Sequence, residues 1–119
     1  MYTHDIDYVI RTLGVGATYR GYRYLSYGIE LCLTDEEYLL AISKQLYPEI
    51  ARKYKTTVGS VERDIRTVIK VCWENGNRPL LEKIALRPLT LKPTSGEFFD
   101  IVTAHLRKYS ECCPLLSAL

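Results

Sequence analysis

One stretch decides how the chain can fold: YPEIARKYKTTVGSVERDIRTVIKVCWEN, from Tyr47 to Asn75. Its second half places apolar residues at steps of three and four, which puts them on one side of a helix: Val58, Val61, Ile65, Val68 and Cys72. This stripe is predicted to be buried. Arg63, Arg66 and Lys70 share a different face, so the three cations can point together at a partner.

The ends of two helices can also be predicted in this stretch. Thr57 is expected to begin the second helix, because its hydroxyl can accept a free backbone N–H of the first turn. Gly76 is expected to end that helix in a left-handed conformation. Pro48 suits the start of the shorter helix before it, where a proline has no N–H bond to lose.

Only Lys55 to Thr57 remain for the turn, and a turn of this length sets two helices at a steep angle. This arrangement is typical of a DNA-reading helix-turn-helix. The turn lacks the glycine that such motifs often contain. A plain packing unit of three helices therefore stays open as the alternative.

The composition is that of one globular domain. The chain has 119 residues, of which 47% are hydrophobic and 25% charged, enough to bury a core. No apolar run approaches the roughly 18 residues of a membrane span, and the N-terminus lacks the features of a signal peptide. We expect a single domain over residues 1–119, a cytoplasmic location and no membrane contact.

Positive charge is concentrated on the proposed helix-turn-helix, although the net charge of the whole chain is only +2. From Lys44 to Lys70 there are seven cations and three anions, a local net charge of +4. The remaining residues must therefore sum to −2. This distribution favours a polyanionic partner.

The chain shows no pattern typical of an enzyme or a metal site. Its four cysteines form no CxxC pair, and neither histidine has a ligand or catalytic partner at a characteristic spacing. Cys32 and Cys72 fall in apolar patterns and are predicted to be buried free thiols, whereas Cys112 and Cys113 are interpreted as incidental. We expect no catalysis, no metal and no cofactor.

Periodicity predicts further helices over Asp5–Leu13 (stopped by Gly14), over Arg20–Leu33, and after Thr34, Pro79 and Thr94. Thr34–Glu37 and Thr94–Glu97 both have the pattern of a capping box. The apolar stripe after the first box continues through Pro48, which indicates either one kinked helix or two collinear pieces. Arg87–Pro93 is predicted to be extended or looped, and Glu111–Leu119 to be a loose tail.

Tyrosines and arginines alternate between Tyr19 and Tyr27, and two interpretations are open. In one, four tyrosines interleaved with Arg20 and Arg23 form a stacking surface for single-stranded nucleic acid: Tyr19, Tyr22, Tyr24 and Tyr27. In the other, which we prefer, the stretch is a helix whose tyrosine rings pack in the core while their hydroxyls reach the surface.

Short pieces spread over almost the whole chain form a collinear series that is more specific than any one of them: Gly21-Tyr22-Arg23-Tyr24-Leu25, Leu46-Tyr47-Pro48-Glu49-Ile50-Ala51, Thr56-Thr57, Val61-Glu62-Arg63, Ile65-Arg66, Trp73, Gly76-Asn77, Lys92-Pro93-Thr94 and Glu97-Phe98. Together they resemble the C-terminal DNA-binding effector domain of the sporulation master regulator, the stage-zero response regulator of endospore-forming Firmicutes. In that family a receiver domain precedes this one. We find none here, so we expect an excised domain or a stand-alone paralogue.

The resemblance implies an all-α domain of about six helices with an embedded helix-turn-helix, of a winged-helix-like effector type but with no sheet. It implies sequence-specific binding of double-stranded DNA in the major groove, regulating transcription of sporulation or stationary-phase genes. It also implies a homodimer or tandem dimer on adjacent sites. RNA polymerase sigma factor is an implied partner near Gly76–Leu86.

The resemblance also implies which side chains meet DNA. Residues that face bases are Glu62, Arg63 and Arg66, with Ser60 and Thr67 at positions where many members have Arg and His. Guanidinium groups can bind guanine bidentately, and Glu62 can either accept from a cytosine amino group or pair with Arg66. The two departures from the family pattern predict a shifted or relaxed DNA preference. Phosphate contacts are assigned to Lys53, Lys55, Thr56, Thr57, Lys70 and, more weakly, Lys92.

A second function stays open. A receiver-less paralogue can act as a protein-interaction module that heterodimerises with a full-length regulator and modulates it. Duplex binding with a steep salt dependence favours the first function, whereas tight association with a full-length regulator favours the second.

Overall fold

The computed structural model describes the backbone of residues 3–118 and the side chains of residues 5–108. This part of the chain contains seven α-helices, one π-helical turn and no strand. In chain order the elements are α1 (Thr3–Thr12), α2 (Arg20–Thr34), α3 (Glu37–Leu40), the π turn (Ile42–Leu46), α4 (Tyr47–Tyr54), α5 (Val58–Asn75), α6 (Arg78–Ala85) and α7 (Ser95–Ala118). The predicted all-α class is confirmed, with one helix more than expected.

The additional helix arises between α2 and α4. Ala41 leaves the helical region, with φ −144° and ψ 57°, and separates α3 from the π turn. Pro48 causes no break, because it lies in the first turn of α4. The interruption therefore falls at Ala41, and the chain is helical from the π turn through Tyr54.

The two predicted capping boxes have different outcomes. In the later one, the Glu97 N–H donates to Thr94 Oγ1 over 3.2 Å, and the Thr94 N–H donates to Glu97 Oε1 over 2.9 Å. The box predicted at Thr34 is wrong, because Thr34 is the last residue of α2 and its hydroxyl donates to a carbonyl one turn earlier. Asp35 takes its place and accepts the Glu37 N–H over 3.0 Å.

The core is built from the apolar faces that periodicity predicts. The stripes of α1 and α2 are buried as expected, at Ile6, Val9, Ile10 and Leu13 and at Tyr24, Leu25, Ile29 and Cys32. In α5 the buried stripe begins at Val61, since Val58 is 38% exposed.

Cys32 and Cys72 are buried free thiols, as predicted. Burial raises the pKa of the Cys32 thiol to about 12 and that of the Cys72 thiol to about 11.

The prediction that the tyrosine and arginine stretch is helical is confirmed, but the Tyr22 hydroxyl, which was expected to reach the surface, is buried and has no hydrogen-bond partner among the described residues. Tyr22 and Tyr24 are each 7% exposed and belong to the core. The ring of Tyr24 packs edge-on against Tyr54, with centroids 5.3 Å apart. The hypothesis that Tyr22 and Tyr24 stack on single-stranded nucleic acid is therefore wrong. Arg20 and Arg23 remain exposed.

Helices α2 and α5 cross at very close range because Gly21 has no side chain. A Cβ at this position would lie 2.2 Å from the backbone oxygen of Asp64 and 2.9 Å from Val68 Cγ1. Both distances are well inside van der Waals contact. Helix α2 thus packs directly on the backbone of α5 and fixes its position.

Helix α5 ends at Gly76, although not in the predicted conformation. Gly76 has φ −97° and ψ −155°, which is extended rather than left-handed. Glycine is needed here for space, since a Cβ would lie 2.4 Å from the carbonyl oxygen of Leu13. The Asn77 N–H donates to that same oxygen over 3.0 Å. At the end of α1, Gly14 takes the positive φ, +100°, expected of a helix stop.

The last helix is assigned through Ala118, beyond the residue at which a loose tail is expected to begin. Side chains after Lys108, including Cys112 and Cys113, lie outside the described residues. The looseness of Glu111–Leu119 therefore stays a prediction.

Gly21→Ala is expected to lower the free energy of unfolding by about 1–3 kcal/mol, because the new methyl group overlaps the backbone of α5. Gly59→Ala is the matched control: Gly59 is also helical, but nothing lies within 4 Å of its Cβ position. This control is expected to raise the free energy of unfolding by up to about 1 kcal/mol. Urea unfolding followed by circular dichroism measures both variants, and equal effects would contradict the close crossing.

Candidate nucleic-acid interface

The predicted helix-turn-helix is formed by α4, a three-residue turn and α5. Lys55 begins the turn in the left-handed region, with φ 52° and ψ 50°. A lysine therefore adopts the conformation for which glycine is favoured, at a cost of about 1 kcal/mol. The turn is closed by the Thr56 N–H, which donates to the carbonyl oxygen of Ala51 over 3.0 Å.

Thr57 begins α5 as the sequence predicts. Its Oγ1 accepts the Ser60 N–H over 3.1 Å, which satisfies one of the free donors of the first turn. The hydroxyls of Thr57 and Ser60 are also hydrogen-bonded to each other over 3.0 Å. A predicted phosphate contact, Thr57, and a predicted base contact, Ser60, are thus held together at the start of α5.

One face of α5 makes no contact with the core and carries the base-reading candidates. Its members are exposed or half-buried: Ser60, Glu62, Arg63, Arg66, Thr67 and Lys70. The side chains of Arg63 and Arg66 are 69% and 61% exposed. The prediction that these two cations share an exposed face with Lys70 is confirmed.

The two arginines differ in their local partners. Arg66 Nη2 donates to Glu62 Oε1 over 2.6 Å, so Glu62 pairs with Arg66 and orients its guanidinium group. Because both side chains are largely exposed, the pair is weak and the guanidinium can exchange to a stronger acceptor. Arg63 Nε lies 3.8 Å from Asp64 Oδ1, which is beyond hydrogen-bond distance.

One flank of this exposed face is formed by the start of α2. Tyr19 and Arg20 line a shallow open recess together with Asp64 and Thr67 of α5. Arg20 is exposed, so its side chain lies beside the face rather than beneath it. The sequence names Arg20 only in the possible stacking surface for single-stranded nucleic acid and not beside α5. A signal for its position here is Gly21, whose place inside a helical pattern indicates a close approach to another element.

The opposite flank is formed by α4 and the start of α7. Burial raises the pKa of the Tyr47 hydroxyl, which lies beside Ser95 and within range of the charges of Glu62 and Arg66. Lys92 is exposed in the loop three residues before Ser95. The phosphate candidate outside the helix-turn-helix is therefore close in the chain to Ser95, the residue that lies beside Tyr47.

A cationic cluster borders the turn between α4 and α5. Lys53 Nζ lies 4.2 Å from the ring centroid of Tyr27 and 5.8 Å from that of Tyr54. The guanidinium carbon of Arg23, on α2, lies 5.6 Å from the same Tyr54 centroid. Cation–π contacts hold these groups in place while they stay charged and exposed. Lys55 lies next to this cluster along the chain and is also exposed.

Neither a metal-binding cluster nor a membrane-spanning helix is found in the part of the chain that the structure describes. Among the side chains of residues 5–108, no group of three or more His, Cys, Asp or Glu residues is placed to hold a metal ion. In the same part of the chain, no helix combines the length and the apolar character needed to cross a membrane.

Thr57→Ala is expected to lower the free energy of unfolding by about 1 kcal/mol, because the first turn of α5 loses its capping acceptor. Thr57→Ser keeps the hydroxyl and is expected to stay close to wild type. Thermal unfolding at fixed pH compares the three proteins. If the alanine and serine variants unfold alike, the hydroxyl does not cap α5.

Residues 6–106 match the family model described as sporulation initiation factor Spo0A C terminal. The matched region begins within α1 and ends within α7, so it includes every element that forms the interface. That family is an all-α DNA-binding regulatory domain and is not an enzyme family. The chain therefore belongs to the family of C-terminal domains of the sporulation initiation factor Spo0A, which bind DNA and regulate transcription in sporulation.

Proposed function

We propose that this protein regulates transcription by inserting α5 into the major groove of double-stranded DNA and reading a specific sequence there. The observation that carries the proposal is the exposed cationic face of α5, whose opposite face is packed against α2 and α4. An α-helix fits a major groove about 12 Å wide. Because the buried stripe fixes the helix to the domain, the exposed side chains reach the bases from a defined position.

Arg63 and Arg66 are the proposed base readers. Each guanidinium can donate two hydrogen bonds to the N7 and O6 atoms of guanine. Arg66 is held by Glu62 over 2.6 Å, so its donors are oriented before DNA arrives. Arg63 has no such partner within hydrogen-bond distance in the described part of the chain and is more mobile in this account.

Ser60 and Thr67 are proposed to make weaker base contacts. Both side chains are short, and both already take part in local hydrogen bonds. The Thr67 hydroxyl donates to the Arg63 carbonyl over 3.0 Å, and the Ser60 hydroxyl pairs with Thr57. We infer a DNA preference that depends on fewer base contacts than in family members with Arg and His at these positions.

Cations and hydroxyls around α5 are proposed to contact phosphates and so to set its register in the groove. Lys55, Thr56 and Thr57 lie in the turn, Lys53 lies in the cationic cluster beside it, and Lys70 lies about three turns along α5. Lys92 is exposed in the loop before α7. Such contacts strengthen binding to every sequence and make binding depend on salt.

A groove between α6 and α7 is the proposed site for protein partners. It has a volume of about 500 Å³, is lined by Leu80, Ile84 and Leu86, and has Lys83 and Lys108 at its edge. Leu86 is 78% exposed and, with Leu80 and Ile84, gives the groove a continuous apolar lining. This supports binding of RNA polymerase sigma factor near Gly76–Leu86. A second copy of the chain, in a dimer or tandem pair on DNA, is the other proposed partner.

The same groove favours a second candidate function. It lies on α6 and α7 rather than on the exposed face of α5, so a protein can bind there whether or not DNA is present. In this alternative the chain heterodimerises with a full-length regulator and modulates it. Both functions place the protein in the cytoplasm.

Arg63→Ala and Arg66→Ala are each expected to relax the preference for one duplex sequence by about 5- to 150-fold, the equivalent of one bidentate base contact. Fluorescence anisotropy with a library of labelled duplexes, repeated across salt concentrations, measures affinity and preference together. Wild type is expected to prefer one sequence by at least about a hundredfold and to lose affinity steeply with salt.

Weak duplex binding by wild type, or arginine variants that bind and discriminate like wild type, would contradict the proposed DNA reading. Arg11→Ala, which removes an exposed cation from α1 outside both proposed binding surfaces, is the control for a change in net charge alone. In the case of weak duplex binding, tight association with a full-length regulator would support the second function.

A further inference from the structure

We propose that Arg20 and Arg23 on α2 contact the phosphate backbone of the DNA strand that borders α5 on its Thr67 side. The inference rests on the proposed function, because it requires α5 to lie in a groove. Neither arginine belongs to the helix-turn-helix, and both precede α5 by more than 30 residues. Folding brings them to its edge.

The crossing of α2 over α5 places Arg20 beside the DNA-facing surface. Gly21 packs on the backbone of Asp64, so the residue before it must lie next to the same turn of α5. Arg20 accordingly lines an open recess with Asp64 and Thr67. Thr67 lies between Arg63 and Lys70 on the exposed face. A side chain as long as that of arginine can therefore reach past Thr67 towards a strand that lies over α5.

Arg23 extends this row towards the turn. It follows Arg20 by three residues, so the two side chains leave the same side of α2 about 4.5 Å apart along the axis. Its guanidinium lies 5.6 Å from the Tyr54 centroid, over the ring that Lys53 also approaches. Arg20, Arg23 and Lys53 therefore form one row of cations. This row lies alongside α5, from about its middle to its first residues.

Neither arginine is needed to balance a charge of the folded domain. Among the side chains of residues 5–108, no carboxylate lies within 4.0 Å of the guanidinium nitrogens of Arg20 or Arg23. The charged residue that shares the recess with Arg20 is Asp64, whose nearest cation is Arg63 at 3.8 Å. Two exposed and unpaired cations beside a DNA-facing helix are suited to a polyanion.

The row of cations also bears on how the domain holds the two DNA strands. A helix in the major groove has one phosphate strand on each side. Ser95 lies beside Tyr47 on the Arg66 flank of α5, and the exposed Lys92 precedes it by three residues. Arg20 lies on the Thr67 flank, and Arg23 continues from it. With cations on both flanks the domain can hold both strands, which fixes the tilt of α5 in the groove without reading any base.

The test is the salt dependence of duplex binding, measured by anisotropy with the preferred sequence and with an unrelated one. Each phosphate contact contributes about 0.9 to the slope of log affinity against log salt. The double variant with Arg20→Ala and Arg23→Ala is expected to lower that slope by about 2 and to weaken binding to both duplexes by about tenfold near physiological salt, leaving the preference between them unchanged. Arg20→Lys with Arg23→Lys keeps both charges and is expected to restore most of the slope.

Arg11→Ala is the control for charge, since it removes an exposed cation from α1, outside both proposed binding surfaces, and the melting temperature of every variant confirms that it is folded. If wild type discriminates between duplexes but the double alanine variant keeps the wild-type slope, the inference is overturned and the proposed function stands. If the double variant instead changes the preference between duplexes, the arginines act on bases and the inference is likewise overturned. If wild type itself does not discriminate, the proposed function fails, and the inference fails with it.

Discussion

The contact between the backbone of α2 at Gly21 and the backbone of α5 at Asp64 is the constraint on which the rest of the structure depends. A side chain of any size at Gly21 would push the two helices apart. Because the crossing is so close, Asp64 and Val68 are used for packing, and the opposite side of α5 is left free for cations. The same crossing sets Arg20 at the edge of that free face. The α2–α5 crossing therefore determines both how α5 packs in the core and where the exposed cations lie.

Two further contacts hold α5 at its ends. Thr57 caps its first turn through Ser60, and Gly76 lies against the Leu13 carbonyl, which accepts a hydrogen bond from Asn77. A helix fixed at its start, middle and end loses little conformational freedom when it binds, so less of the binding free energy is spent on ordering it. This rigidity suits a helix that must present arginines at defined positions in a groove.

Much of the fold follows from two local rules that can be applied to the sequence alone, helical periodicity and helix capping. The buried stripes of α1, α2 and α5 obey the helical period, and Thr57 and the Thr94–Glu97 box cap their helices as expected. At Thr34 two capping residues compete, and Asp35 prevails because α2 continues through Thr34. The break at Ala41 has no glycine or proline to signal it, and we have no local account of why it falls there.

The features that sequence reasoning missed depend on residues far apart in the chain. Gly76 is extended because Leu13 lies against it, and no local pattern contains that information. Lys55 adopts a left-handed conformation at the end of α4, which the absence of glycine from the turn did not indicate. The base-reading candidates could be named from one helix face and from resemblance to a family. The sequence names Arg20 and Arg23 only for a single-stranded stacking surface, because their position beside α5 depends on the α2–α5 crossing.

The central claim is that the exposed face of α5 is the surface that binds DNA, and amide chemical-shift mapping tests it most directly. A uniformly ¹⁵N-labelled sample would be titrated with the duplex selected by the anisotropy measurements. The account predicts that the largest shifts fall between Lys55 and Lys70, with a second group at the start of α2. Largest shifts in the α6–α7 groove, with α5 unaffected, would contradict it.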